Sequence, residues 1–199
     1  MSKFKLFDKW DISGIEVKDP GLKRYVYLSS MLVANSYGRN QKQRFGKSKT
    51  NIVERLMNKL MIPGHKGKKH YRTSGHITGK KSHAYKLVKE CFEIIERDTK
   101  QNPLQVFVKA LENGAPREEI TSIEYGGARY SQAVDCAPQR RVDIALRQFV
   151  AGAYSKSFGK KKGMAAALAE ELSKAAVIDQ ASQAISKKLE LERQADASR

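Results

Sequence analysis

Residues 126–149 read Gly-Gly-Ala-Arg-Tyr-Ser-Gln-Ala-Val-Asp-Cys-Ala-Pro-Gln-Arg-Arg-Val-Asp-Ile-Ala-Leu-Arg-Gln-Phe. Gly126-Gly127 is a two-residue turn signal that needs positive φ, and strand-like runs flank it at 120–125 and 128–134. Pro138 then opens a helix, because proline fits the first helical position. Val142, Ala145, Leu146, Phe149, Val150 and Ala153 continue it at spacings of three and four. The segment predicts a β-hairpin at about 120–134, joined to a helix whose first turn carries Arg140 and Arg141. Cations in a first turn oppose the helix dipole. They make sense there if a polyanion or a carboxylate such as Asp143 neutralises them.

Outward from this segment the periodicity is helical. Upstream, Ile52, Val53, Leu56, Met57 and Leu60 follow Asn51, which with Glu54 resembles a capping pair, and Pro63 stops that helix. A longer amphipathic helix starts near Ser82 and carries Ala84, Val88, Cys91, Phe92 and Ile95. Asn102-Pro103 caps and opens a third, which ends at Asn113-Gly114. Downstream, an Ala-rich helix bears Met164, Leu168 and Leu172, and a last one lies near 182–196. The expected fold is mainly α: a single bundle of five to six helices with a projecting two-stranded hairpin, since two strands cannot build a core alone. Residues 49–199 form that core domain. Residues 1–48 are expected to be a basic N-terminal extension without a core, although Asp19-Pro20, Leu22, Tyr25 and Val26 suit a short docked turn.

The formal charge is +17 over 199 residues. Residues 1–50 carry 11 basic and 4 acidic side chains and residues 51–100 carry 12 and 5, whereas 101–150 balance at 6 and 6. Such asymmetry points to an acidic partner. Three loop clusters contain no acid: Arg39, Lys42, Arg44, Lys47 and Lys49; Lys66, Lys68, Lys69, Arg72, Lys80 and Lys81; and Lys156, Lys160, Lys161 and Lys162. Arg55 and Lys59 add charge to the first helix. Glycines beside the clusters let backbone approach phosphates, while Lys and Arg release counterions. At the hairpin, Arg129 could pair with phosphate and Tyr130 could stack on an unpaired base.

Other chemistries lack their residues. There is no phosphate-loop, Gly-x-Ser-x-Gly or His-Glu-x-x-His pattern, so no enzyme and no cofactor is expected. His65, His70, His76 and His83 are irregularly spaced among cations that repel a metal, so no metal is expected either. Cys91 and Cys136 have no partner spacing, which reads as a reduced, cytoplasmic protein. No stretch approaches the roughly 18 apolar residues that span a bilayer. A free-standing RNA- or DNA-binding regulator is the competing reading. It fits poorly, because no helix start presents base-reading side chains after a defined turn.

The ordered motifs are Asn-Ile-Val-Glu-Arg-Leu-Met-Asn-Lys-Leu-Met (51–61), Gly-Lys-Lys-Ser-His-Ala-Tyr-Lys-Leu-Val (79–88), Asn-Pro-Leu-Gln-Val-Phe-Val-Lys-Ala-Leu-Glu-Asn (102–113) and the hairpin and helix start above. In that order and spacing the chain resembles the small-subunit ribosomal protein S-seven family, of archaeal or eukaryotic type. The resemblance implies a structural constituent of the cytoplasmic ribosome that binds small-subunit rRNA in the 3′ major domain and nucleates head assembly. It implies a place beside the exit-site tRNA, the mRNA exit path and ribosomal protein S-eleven. Gly126, Gly127, Arg129 and Tyr130 would face the exit site, while Arg140 and Arg141 match the family's paired basic residues on rRNA. The stretch 63–78 replaces a short bacterial connection, so bacterial contacts do not transfer to it.

Overall fold

A computed structural model of the chain describes residues 4–62 and 77–199. Among these, six α-helices and one hairpin follow in the order α1 (Ile52–Leu60), α2 (Lys81–Thr99), α3 (Pro103–Gly114), β1 (Glu118–Tyr125), β2 (Ala128–Asp135), α4 (Pro138–Ser157), α5 (Met164–Ala176) and α6 (Gln183–Ala197). A single 3-10 turn, Gly46–Lys49, precedes α1. The mainly helical reading with a two-stranded hairpin holds.

Helix starts follow local chemistry. The Asn51 side chain accepts from Val53 N–H, and Asn102 accepts from Leu104 N–H ahead of Pro103. Glu54 does not reach back to close a capping box; it faces the N-terminal segment instead. α5 lies at the centre, packed on α2, α3 and α4. Its buried face is Ala165, Ala167, Ala169, Ala175 and Ala176 with Leu168 and Leu172, small side chains that let three neighbours approach closely. Glu171 is fully buried there, held by Lys156 Nζ at 2.8 Å and by Ser182 Oγ at 2.7 Å.

Composition alone assigned no core to residues 1–48, and here the structure differs. Leu6, Phe7, Trp10, Leu22, Val26 and Ala34 are buried in the same core as the helices. Trp10 meets Phe92 edge-on at 5.7 Å, Phe7 meets Trp10 at 5.7 Å, and Trp10 Nε1 donates to Glu96 Oε2 at 3.0 Å. These residues have no helical or strand period. Their apolar surface therefore left no pattern to read.

The hairpin runs in the register Glu118↔Asp135 to Tyr125↔Ala128, and Gly126 (φ 59°) and Gly127 (φ 81°) supply the two positive-φ positions of its turn. Residues 121–132 are exposed, while the root rests on α6. The root is fixed by charge. Arg117 N–H donates to Glu192 at 3.0 Å, Arg140 pairs with Glu119, and Arg199 pairs with Glu118.

Candidate nucleic-acid interface

The loop before α1 folds on itself. Arg39, Gln41, Gln43 and Gly46 N–H groups donate to the carbonyls of Ser36, Gly38, Asn40 and Gln43 in turn. Gly46 is obligatory, since a Cβ there would lie 1.7 Å from Asn40 O. This loop forms one wall of a groove of about 770 Å³, with α1 and the first turns of α4 forming the others. The groove brings together Lys47, Arg55, Lys59 and Lys81 from three separate parts of the sequence.

The cations around it divide into two kinds. Asp143 on α4 takes Lys47 Nζ at 2.8 Å and Arg55 Nη2 at 3.2 Å, and the largely buried Arg55 also donates to Tyr25 O at 3.1 Å. Burial opposes ionisation of Asp143, but the Lys47 hydrogen bond and the Arg55 charge outweigh it and hold its carboxyl below the usual range. Burial likewise lowers the pKa of Arg55 and of half-buried Lys59, with Asp143 working against it in both. Glu54 is buried, accepts from Ser36 N–H at 2.8 Å and takes Lys81 Nζ at 2.9 Å. Lys47, Arg55 and Lys81 are thus paired within the fold.

Arg39, Lys42, Arg44, Lys49 and Lys80 are exposed and have no carboxylate partner among the described residues. Lys160 and Lys161 are also exposed and unpaired among the described residues, but they follow the C-terminal end of α4, whose first turn carries Arg140. Their neighbours are occupied: Lys156 binds Glu171, and Lys162 binds Glu170. Lys66, Lys68, Lys69, Arg72 and three of the histidines lie outside the described residues.

The arginine pair after Pro138 separates. Arg140 is exposed and holds Glu119, with Nη2 2.6 Å from its carboxylate. Arg141 is buried; its Nε donates to Pro116 O at 3.0 Å and its Nη2 to Asp19 at 2.7 Å. The carboxylate that neutralises Arg141 is therefore Asp19, and Asp143 serves Lys47 and Arg55. On the hairpin, Arg129 lies 3.7 Å from its cross-strand partner Glu124 with both side chains exposed, and Tyr125 and Tyr130 are open to solvent. Such an exposed pair is worth little and releases Arg129 easily.

Sequence reading missed several residues in and around the grooves. Arg147 is exposed one helical turn beyond Asp143, near enough to Lys59 to disfavour its charge. Lys86 and Lys89 line a second groove of about 540 Å³ with Lys81 and Tyr85, at helical spacings that could have signalled a basic face. Exposed Tyr37 and Phe45 were passed over because they sit among cations.

The sequence pattern of the family described as "Ribosomal protein S7p/S5e" matches residues 29–199. The chain is 56% identical over 197 residues to the small ribosomal subunit protein uS7 of Nanoarchaeum equitans, covering 99% of this chain and 100% of that one. It is 50% identical over 190 residues to the small ribosomal subunit protein uS7 of Methanosphaera stadtmanae, covering 96% of each.

Proposed function

The chain belongs to the S7p/S5e family of ribosomal proteins, and on that premise we propose how its surface divides the work. It is a structural constituent of the small ribosomal subunit in the cytoplasm and binds rRNA. Its paired cations hold the fold and its unpaired cations hold the RNA. The observation that carries this reading is the set Arg39, Lys42, Arg44 and Lys49: four exposed cations on one self-bonded loop, with no carboxylate among the described residues to neutralise them. Phosphates are the partner such a loop suits.

The finer placement is what the family resemblance implies. The groove face binds the 3′ major domain of small-subunit rRNA as a primary contact that nucleates head assembly. The hairpin, whose exposed half buries nothing, reaches toward the exit-site tRNA, the mRNA exit path and the neighbouring protein S-eleven, with Gly126, Gly127, Arg129 and Tyr130 at its tip. Lys160 and Lys161 make a separate contact.

Tethered hydroxyl-radical cleavage tests this map. Cys91 and Cys136 are buried, and burial first among causes raises both thiols, Cys136 to about 11, so neither competes for the label at neutral pH. A reagent on Lys49→Cys should cut head rRNA, and one on Ala128→Cys should cut exit-site tRNA. Deleting residues 125–130 should spare rRNA binding. Loss of rRNA binding on that deletion, or no head cleavage from position 49, overturns the map.

A further inference from the structure

Two bulky aromatic residues of the loop before α1 break a backbone rule, and one of them, Phe45, lines the groove. Tyr37 (φ 51°) and Phe45 (φ 60°) occupy the left-handed region, where glycine or asparagine is at ease and a large side chain is strained. Both rings are nonetheless exposed, Tyr37 at 79% and Phe45 at 72%. By their exposure the rings are presented outward rather than packed into the fold.

The surroundings of Phe45 say to what. The Arg44 guanidinium lies 5.2 Å from the Phe45 ring centre, covering one face and leaving the other open. Phe45 lines the groove, and five side-chain amides line it too: Asn40, Gln41, Gln43, Asn58 and Gln139. Gln139 Nε2 is buried and has no acceptor among the described residues. Amides carry both donors and acceptors, which suits a base edge, whereas phosphate needs donors alone. A groove of about 770 Å³ is ample for one nucleotide.

We propose that this groove is a base-reading site, in which one unstacked rRNA nucleotide stacks on the open face of Phe45 and its edge is read by the groove amides. This rests on the rRNA-binding reading above and adds a sequence-specific element to its phosphate contacts. Stacking is not ionic, so it leaves a signature distinct from that of the lysines.

The test uses Phe45→Asn in the full chain, with a transcribed 3′ major-domain rRNA fragment. Asparagine tolerates the left-handed backbone, so the variant should melt no lower than the parent. Its affinity should nevertheless fall about tenfold with an unchanged salt slope. Phe45→Trp should restore affinity. Nucleotide-resolved chemical probing should show one position whose reactivity changes with the parent and with Phe45→Trp but reverts with Phe45→Asn. If Phe45→Asn binds like the parent with the same reactivity pattern, the site is refuted while the phosphate reading stands. If the parent itself does not bind the fragment specifically, the reading beneath it fails instead.

Discussion

Arg141 donates from Nη2 to Asp19 at 2.7 Å across 122 residues of sequence, and its Nε donates to Pro116 O. One guanidinium thus ties the N-terminal segment and the approach to the hairpin to the start of α4. Gly21 packs against the same pair: a Cβ there would lie 3.1 Å from Asp19 Oδ1 and 3.3 Å from Arg141 Nη1. Arg141→Ala removes both bonds and leaves Pro116 O and Asp19 without their donor. We expect a loss of about 2–3 kcal/mol, below the full range for a buried pair because Asp19 keeps some solvent. Arg140→Ala, losing only an exposed pair, should cost about 1 kcal/mol or less. Urea unfolding of the two variants measures the contrast, and equal losses would contradict it.

Trp10 tests whether the N-terminal segment belongs to the core. Its ring is 3% exposed and wedged against Phe92. Trp10→Ala should destabilise the whole protein by about 3–5 kcal/mol, as a large cavity does. Limited proteolysis of the free parent should spare residues 6–34. Ready cleavage there, with a Trp10→Ala variant as stable as the parent, would show that the segment docks only on RNA.

Acid should unfold the protein through its paired carboxylates. Asp19 and Asp143 have lowered pKa values because Arg141, and Lys47 with Arg55, outweigh burial; the Arg140 hydrogen bond lowers Glu119. The Lys162 hydrogen bond, followed by that of Lys174, takes Glu170 down to about 2. Each folded value lies below its unfolded one. The stability they supply is therefore complete above roughly pH 4.5 and is lost as pH falls toward 2. Melting by circular dichroism should show a plateau from pH 5 to 7 and a steep fall below it. Asp143→Asn should lower the plateau and flatten the fall. A midpoint unchanged from pH 5 to pH 3 would contradict the sign.

What was legible in the sequence was local. Asn51, Asn102, Pro103, Pro138 and Gly126-Gly127 act on neighbours within a few residues, so their caps and turn could be read directly. Apolar stripes revealed α2 to α5 for the same reason. The charges were not legible, because their partners are remote: Lys47 and Arg55 find Asp143 at separations of 96 and 88 residues. A basic cluster looks the same in sequence whether a carboxylate waits across the fold or not. The core role of Leu6, Phe7 and Trp10 was hidden likewise, since only packing against α2 makes them a core.

On the function proposed above, unpaired cations bind RNA and paired ones hold the fold. The most direct measurement is the slope of log affinity against log salt, taken with a 3′ major-domain rRNA fragment. Replacing Arg39, Lys42, Arg44 and Lys49 together with Ala should reduce that slope by about 3, at roughly 0.7–0.9 per lost phosphate contact, with the melting temperature unchanged. Arg55→Ala should lower the melting temperature and leave the slope alone. A quadruple variant with the parent's slope, or an Arg55→Ala variant that accounts for the loss of slope instead, would contradict the account.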